Sequence, residues 1–349
     1  MKQSVKIGTR DSQLAVWQAT LVQNLLREKG VPSEIVFIKS EGDLDTVTPL
    51  YELGVQGIFT RSLDTALLNK RVDIAVHSLK DVPTRLADGL CLAAVLKRAS
   101  YNDLLIYKDD PVTLRDALGL VDGKWSHSNH GAATVQRQPL NTNVKTTPLS
   151  TVHNPEPATA NYTIATSSIR RMAQWLHRYP GHTIENLRGN VNTRLQKLNT
   201  HNWNGAIFAA AGLERIHIRP QNSVNLDWML PAPAQGAITI ACRSNDGDTI
   251  DKCQPLNDPG TALCTKIERD FLRALLGGCS TPISALAEIE NHTIIFKGNI
   301  CSPDGLRKID IEKTIPFTNG HNFGVIAADE LLRNDDAQQI IYGIRSAKK

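Results

Sequence analysis

The alternation of strand-like and helix-like segments through the first two thirds of the chain constrains its fold most. Residues 4–8 read as a short strand. Asp11 or Ser12 then caps a helix to about Lys29, with Leu14, Val16, Trp17, Leu21, Leu25 and Leu26 on one apolar face. Gly30 and Pro32 stop it, and Glu34–Lys39 reads as a second strand. A strand, a helix and a strand form a βαβ unit, which implies a parallel sheet. The rhythm repeats with a helix at Phe59–Leu68 and a strand at Val72–His77. It continues with a strand end at Ile164–Thr166, a helix from Ser168, a strand at Thr183–Leu187 and a helix at Val191–Asn199. A strand at Ala206–Ala210, a helix start at Gly212–Ile216 and a strand at Ala237–Cys242 follow. The last hundred residues change character, with a helix at Thr261–Leu276, a hairpin-like stretch at Ala285–Ile315 and a helix near Val325–Leu332. They read as a separate α+β domain.

At 349 residues the chain is too long for one ordinary core. With 41% hydrophobic and 21% charged residues it is globular rather than disordered. A net charge of +4 makes no case for a nucleic-acid or membrane-surface partner. The six cysteines form no CxxC pair and no metal or disulfide spacing. No apolar h-region follows Met1, and no apolar run approaches the ~20 residues that span a bilayer. The expectation is a cytoplasmic protein, monomeric, with no membrane or nucleic-acid partner.

Residues 122–162 break the rhythm. They are rich in Asn, Thr, Ser, Pro and Gly and read as a mobile surface loop. Few apolar residues there can join a core, so removing 123–160 is expected to leave the body folded. His127, His130 and His153 lie within it without a carboxylate or cysteine at ligand spacing, so no metal is expected.

Neither G-x-G-x-x-G, the P-loop, G-x-S-x-G, H-E-x-x-H nor an EF-hand loop occurs. Chemistry is therefore sought at the strand ends, where open α/β sheets bind ligands. Several carry the same cargo: Thr9-Arg10-Asp11-Ser12, His77-Ser78-Leu79-Lys80-Asp81, Thr166-Ser167-Ser168-Ile169-Arg170-Arg171, Leu187-Arg188-Gly189-Asn190 with Arg194 a turn later, and Gly212-Leu213-Glu214-Arg215. Each sets hydroxyls or backbone N–H groups at a helix start beside a cation, which is how an anion site is built. Any one alone reads as a cap and a solvated arginine. Together they point to a ligand with several carboxylates or phosphates. Arg170 and Arg171 oppose the helix dipole side by side, so an anion is expected to offset them. Asp81 reads either as a loop aspartate or as a carboxylate aimed into the cleft, able to stabilise a cation or shuttle a proton. Cys279, in Gly277-Gly278-Cys279-Ser280-Thr281-Pro282, reads either as inert or as a nucleophile or attachment point.

The stretches IGTRDSQLAVWQA, DIAVHSLKDVPT, TSSIRR, LRGNVNTRLQKL, AAAGLERI, LPAPAQGAITIACR and ERDFLRALLGGCSTPI, in that order, resemble the porphobilinogen deaminase family over most of the chain outside 122–162. The resemblance implies an α/β fold of two doubly wound lobes, like two-lobed solute-binding proteins, plus a small α+β C-terminal domain. The first lobe would comprise 1–98 and 231–247, the second 99–230 and the third domain 248–349, with the chain crossing back after Leu230-Pro231. It also implies a dipyrromethane cofactor held by Cys279 through a thioether. On it four porphobilinogens would be joined with loss of ammonia, and hydrolysis would release hydroxymethylbilane. Ser12, Lys80, Asp81, Thr166, Ser168, Arg170, Arg171 and Arg188 would bind the cofactor. Arg10, Ser12, Phe59, Arg188, Arg194, Arg215 and Gln235 would bind substrate, and Asp81 would be catalytic. The chain departs from the family pattern at Val55-Gln56-Gly57, where a Gly-Lys-Gly is usual, at Thr60-Arg61-Ser62-Leu63-Asp64, at Ala234, which replaces a usual Gly, and in the insert. A binding module without chemistry and a silent relative are the competing readings.

Overall fold

The computed structural model describes residues 4–39, 60–108, 118–121, 124–125, 144–146, 161–275 and 281–346. Phe59, Gln56, Cys279 and most of the 122–162 insert lie outside these residues. The strands are, in chain order, β1 (Val5–Thr9), β2 (Ser33–Phe37), β3 (Ile74–Ser78), β4 (Leu90–Val95), β5 (Asp103–Tyr107), β6 (Leu120–Val121), β7 (Lys124–Trp125) and β8 (Val144–Thr146). They continue as β9 (Thr163–Ala165), β10 (Thr183–Glu185), β11 (Gly205–Ala209), β12 (Ser223–Asn225), β13 (Ile238–Arg243), β14 (Ile283–Glu290), β15 (Thr293–Cys301) and β16 (Lys308–Pro316). The helices are α1 (Gln13–Glu28), α2 (Arg61–Leu68), α3 (Ile169–Arg178), α4 (Val191–Thr200), α5 (Ala210–Arg215), α6 (Gly247–Cys253), α7 (Pro259–Leu275), α8 (Phe323–Leu331) and α9 (Asp335–Ser346).

Two five-stranded sheets share one plan. The first runs β2-β1-β3-β13-β4 and the second β10-β9-β11-β5-β12. In each, the first three strands are parallel and the fourth is antiparallel to both neighbours. The fourth strand follows a crossover between the lobes: β5 comes after the outward crossing and β13 after the return. The expected return past Leu230-Pro231 is thus the entry of β13 into the first sheet. Strands β4 and β5 had no counterpart in the sequence reading, because LCLAAV and DLLIY are short apolar runs that either a helix or a strand can bury.

Both sheets are covered on both faces, so their strands are nearly continuously apolar. Ile74 and Ile240 enter one core of the first lobe, and their neighbours Ala75 and Ala241 enter the core on the other face. Leu105 and Ile207 likewise oppose Leu104 and Ala206 in the second lobe. Residues 248–256, expected to open the third domain, contribute Ile250, Cys253 and Leu256 to the first lobe's packing.

The third domain is the antiparallel meander β14-β15-β16 packed against α7, α8 and α9 around Ile267, Phe271, Phe296, Ala327 and Ile340. The insert is not wholly apart from the body. Trp125 is buried in the second lobe's core and donates through Nε1 to the Asn225 carbonyl at 2.6 Å. Strand β8 pairs with the edge of β16. The expectation that few apolar residues of 123–160 can join a core passed over the large ring that does, Trp125.

Candidate active site

Three helix starts face the cleft between the lobes. Ser12 caps α1 in extended conformation, and its hydroxyl makes no capping bond. Ser168 caps α3 and Asn190 caps α4, each accepting from a backbone N–H in the first turn. Asn192 of α4 donates to the Gln13 side chain of α1 at 2.9 Å, so these two N-termini meet across the lobes. Their unsatisfied N–H groups make the cleft attractive to anions.

Asp103, at the start of β5, lies fully buried behind them. Its Oδ2 accepts from Arg170 Nη2 at 2.7 Å, and its Oδ1 accepts from Arg171 Nη2 at 2.8 Å and Nε at 3.1 Å. The anion expected to offset the arginine pair is thus, in the first instance, an internal carboxylate. Arg170 Nη1 further donates to the Leu230 carbonyl and Arg171 Nη1 to that of Ile207. Burial alone would raise the Asp103 carboxyl, but the two guanidiniums override it and hold it far below the usual carboxylate range.

Gln235 links this pair to the turn that carries Lys80 and Asp81. Its Nε2 donates to Asp103 Oδ1 at 2.8 Å and to the Tyr101 carbonyl, and its Oε1 accepts from Lys80 Nζ at 3.1 Å. Lys80 and Asp81 occupy a single 3-10 turn, Leu79–Asp81, at the end of β3. Burial, and then the nearby Arg171, push the Lys80 ammonium down to about 8 against the partial support of Asp81 and Asp103. Arg194 feels Arg171, Arg188 and Asp81 as well; burial and the two like charges push it down to about 10. Its Nε donates to the Gly189 carbonyl at 2.8 Å. Gly189 has φ +110°, and a Cβ there would lie 2.8 Å from Thr193 Cγ2, so only glycine permits this turn. Five cations, Lys80, Arg170, Arg171, Arg188 and Arg194, thus gather around two carboxylates, Asp81 and Asp103.

Asp81 itself is exposed. It borders a cavity of about 70 Å³ with Arg10, Ser12, Gln18, Thr60, His77 and Ser78. His77 is buried, and burial followed by the nearby Arg10 pushes its imidazole down to about 4, so it is neutral near pH 7. Thr166 is buried and accepts from the Ser168 N–H at 3.2 Å. Arg215 is placed apart from Lys80: it donates to the Gly236 carbonyl at 2.7 Å and lies over the Trp17 ring, and burial pushes it down to about 10.

The expected residues Lys80, Asp81, Arg170, Arg171, Arg188, Arg194 and Gln235 therefore converge, and Arg10 and Ser12 border the Asp81 cavity. The sequence reading named His77 only within its strand-end run and missed Asp103 and Glu268. Glu268 of α7 is fully buried, accepts from Arg98 at 2.6 and 3.1 Å and accepts the N–H groups of Ala234 and Ala287. It joins both crossovers to the third domain. Among the described residues no group of three or more His, Cys, Asp or Glu is placed to hold a metal ion, and no helix is long and apolar enough to cross a membrane.

A doubly wound two-lobed protein with a surplus of cations between its lobes and a carboxylate beside them offers a setting for an anionic ligand. The family model described as "Porphobilinogen deaminase, dipyromethane cofactor binding domain" matches residues 5–251, and "Porphobilinogen deaminase, C-terminal domain" matches 262–333. The chain belongs to the porphobilinogen deaminase family. It is 35% identical over 333 residues to the porphobilinogen deaminase of Syntrophotalea carbinolica, covering 94% of this chain and 92% of that one. It is 34% identical over 351 residues to that of Acidithiobacillus ferrooxidans, covering 99% and 100%. Among solved structures it is similar to a periplasmic substrate-binding protein of an ABC transporter from Coxiella burnetii (TM-score 0.38, 12% identity, 74% of this chain and 94% of that). It is also similar to the BvgS periplasmic VFT2 domain of Bordetella pertussis (TM-score 0.37, 11% identity, 72% and 85%). The architecture of the lobes is read from the strand orders above.

Proposed function

We propose that this chain is the transferase that joins four porphobilinogen molecules head to tail with loss of ammonia and releases hydroxymethylbilane by hydrolysis, a step of haem biosynthesis. The observation that carries this is the surplus of cations over carboxylates around Lys80, beside an exposed Asp81. Each porphobilinogen brings an acetate and a propionate, so the growing product is a polyanion.

The donor set fits dipyrromethane, which also carries carboxylates. Lys80, Arg188 and the Ser12, Thr166 and Ser168 hydroxyls would hold them, with Cys279 as the covalent anchor. Arg170 and Arg171, whose Nη groups are engaged by Asp103 and carbonyls, would act through their field. When bound, this group supplies the pyrrole carbon from which the product chain starts. Arg10, Arg188, Arg194 and Arg215 would bind substrate carboxylates, with Phe59 and Gln235 lining the site. Asp81 would accept the pyrrole N–H groups and face the positive charge that develops as ammonia leaves porphobilinogen; a fixed carboxylate in a partly dry cleft acts strongly on such a charge. The chain would work as a monomer in the cytoplasm.

The test is the intact mass of the denatured protein, wild type beside Cys279→Ser, with porphobilinogen turnover measured on both. A covalent increment of two porphobilinogen units less two ammonia, present only in wild type, supports the reading. No increment and no turnover would leave a binding module or a silent relative.

A further inference from the structure

Arg269 lies on α7 of the third domain and reaches into the first lobe. Its Nη1 donates to the carbonyls of Leu79 (3.2 Å) and Val82 (2.8 Å), and its Nη2 donates to the carbonyl of Pro83 (2.7 Å). These carbonyls bracket Lys80 and Asp81. Lys80 of the turn also donates through Nζ to Gln235 Oε1. Sheet pairing ends at Ser78, after which the Leu79 N–H reaches the Ala237 carbonyl and the Val82 N–H closes back onto Leu79. The Leu79 and Val82 side chains bury on one side, against Val95, Ala234 and Ala237. The same cluster is open toward Arg269: Leu79 and Val95, with Leu86, Thr265, Lys266 and Arg269, border a cavity of about 480 Å³ between the lobe and the third domain. Where that cavity lies, apolar packing around the turn is incomplete. A guanidinium can set the turn's position there, because its donors lie in one rigid plane and fix several acceptors relative to one another.

We propose that Arg269 is a positioning residue: by holding the Leu79, Val82 and Pro83 carbonyls it sets where the Asp81 carboxylate stands in the cleft and ties that position to the third domain. This rests on the role of Asp81 proposed above. Arg269 itself need not touch substrate. Without it, water entering the cavity can satisfy the three carbonyls, so the fold survives. The placement of Asp81 does not survive, and a misplacement of about 1 Å near reacting groups costs on the order of 100-fold.

The experiment measures porphobilinogen turnover by wild type, Arg269→Lys, Arg269→Gln, Asp81→Glu and the double variant Arg269→Gln/Asp81→Glu. Each is used as holoenzyme whose cofactor load is confirmed by intact mass. Arg269→Gln should lower kcat by roughly 10- to 100-fold with KM changed less than about 3-fold. Arg269→Lys should recover part of the loss, and a thermal melt should shift little. On the Asp81→Glu background, where the carboxylate is already displaced, the same replacement should cost less than about 3-fold. An unchanged kcat, or an equal loss on both backgrounds, overturns the assignment while wild-type turnover leaves the enzyme reading standing. A wild type that loads no cofactor and turns over no porphobilinogen sinks both.

Discussion

Asp103 and Arg171 are joined at two points, Oδ1 to Nη2 at 2.8 Å and Oδ1 to Nε at 3.1 Å, with the carboxylate wholly out of water. Arg170 takes the other oxygen. Removing the shared acid leaves two guanidiniums buried and opposed. Asp103→Asn should therefore cost about 3–5 kcal/mol of stability, read by urea unfolding. A loss under about 1 kcal/mol would mean that the arginines find other partners.

Asp81→Ala should fold as wild type does and lose turnover by on the order of 100-fold or more, because the developing positive charge loses its counter-charge. The group is exposed, so little packing goes with it. Steady-state kinetics at matched cofactor load checks this, and near wild-type turnover would remove Asp81 from the chemistry.

Lys80 gives a pH signature. Its ammonium is pushed down to about 8 from the ordinary 10.5, so a carboxylate ligand should bind more weakly as pH rises through 8. Between pH 8 and 10.5 the unfolded chain holds a proton that the folded chain has shed, so this lysine makes the ligand-free protein more stable as pH rises there. Affinity and stability should move in opposite directions. Lys80→Arg stays charged and should erase the loss of affinity in a KM-against-pH series.

The crossover at Ala234 and Gly236 predicts two unequal outcomes. Ala234 adopts φ +63°, which costs an L-residue about 1–2 kcal/mol. Its methyl group is fully buried, worth about 0.8 kcal/mol, and glycine also loosens the unfolded chain by about 0.4–1 kcal/mol. These nearly cancel, so Ala234→Gly should change stability by less than about 1 kcal/mol. A Cβ on Gly236 would lie 2.7 Å from the carbonyl oxygens of both Ala99 and Ser100, so Gly236→Ala must push the two crossovers apart. Calorimetry on both variants separates the cases.

Trp125→Ala should destabilise the second lobe by about 3 kcal/mol, since an indole in edge contact with Trp228 leaves a cavity behind. Tryptophan fluorescence during denaturation reports it directly. An unaltered midpoint would return Trp125 to the surface.

What sequence alone disclosed follows the range of each interaction. Hydroxyls and cations at strand ends are local patterns, so Ser12, Lys80, Asp81, Ser168 and Arg188 could be singled out as soon as the strands were recognised. Asp103 could not, because its partners are 67 and 68 residues away and nothing around it in DLLIY marks it as an acid with a purpose. Arg269 was equally hidden: in ERDFLR it looks like the wet face of an amphipathic helix, and only tertiary packing shows it holding carbonyls 186 to 190 residues earlier. Trp125 sits among polar residues that gave no period to read. Local chemistry is written locally, whereas the supports behind it are written in the topology.

The entry of β13 between β3 and β4 has a consequence for biosynthesis. A chain emerging from the ribosome presents β1 to β4 early, but the strand that joins β3 to β4 is Ile238–Arg243. The first lobe must wait, with β4 unjoined, while the second lobe, whose strands all lie within Asp103–Asn225, can close first. Such distant pairing is slow and leaves a sheet edge open in the meantime. A chain truncated near residue 230 should accordingly be cut by protease within β1 to β4 and resist it within β9 to β12.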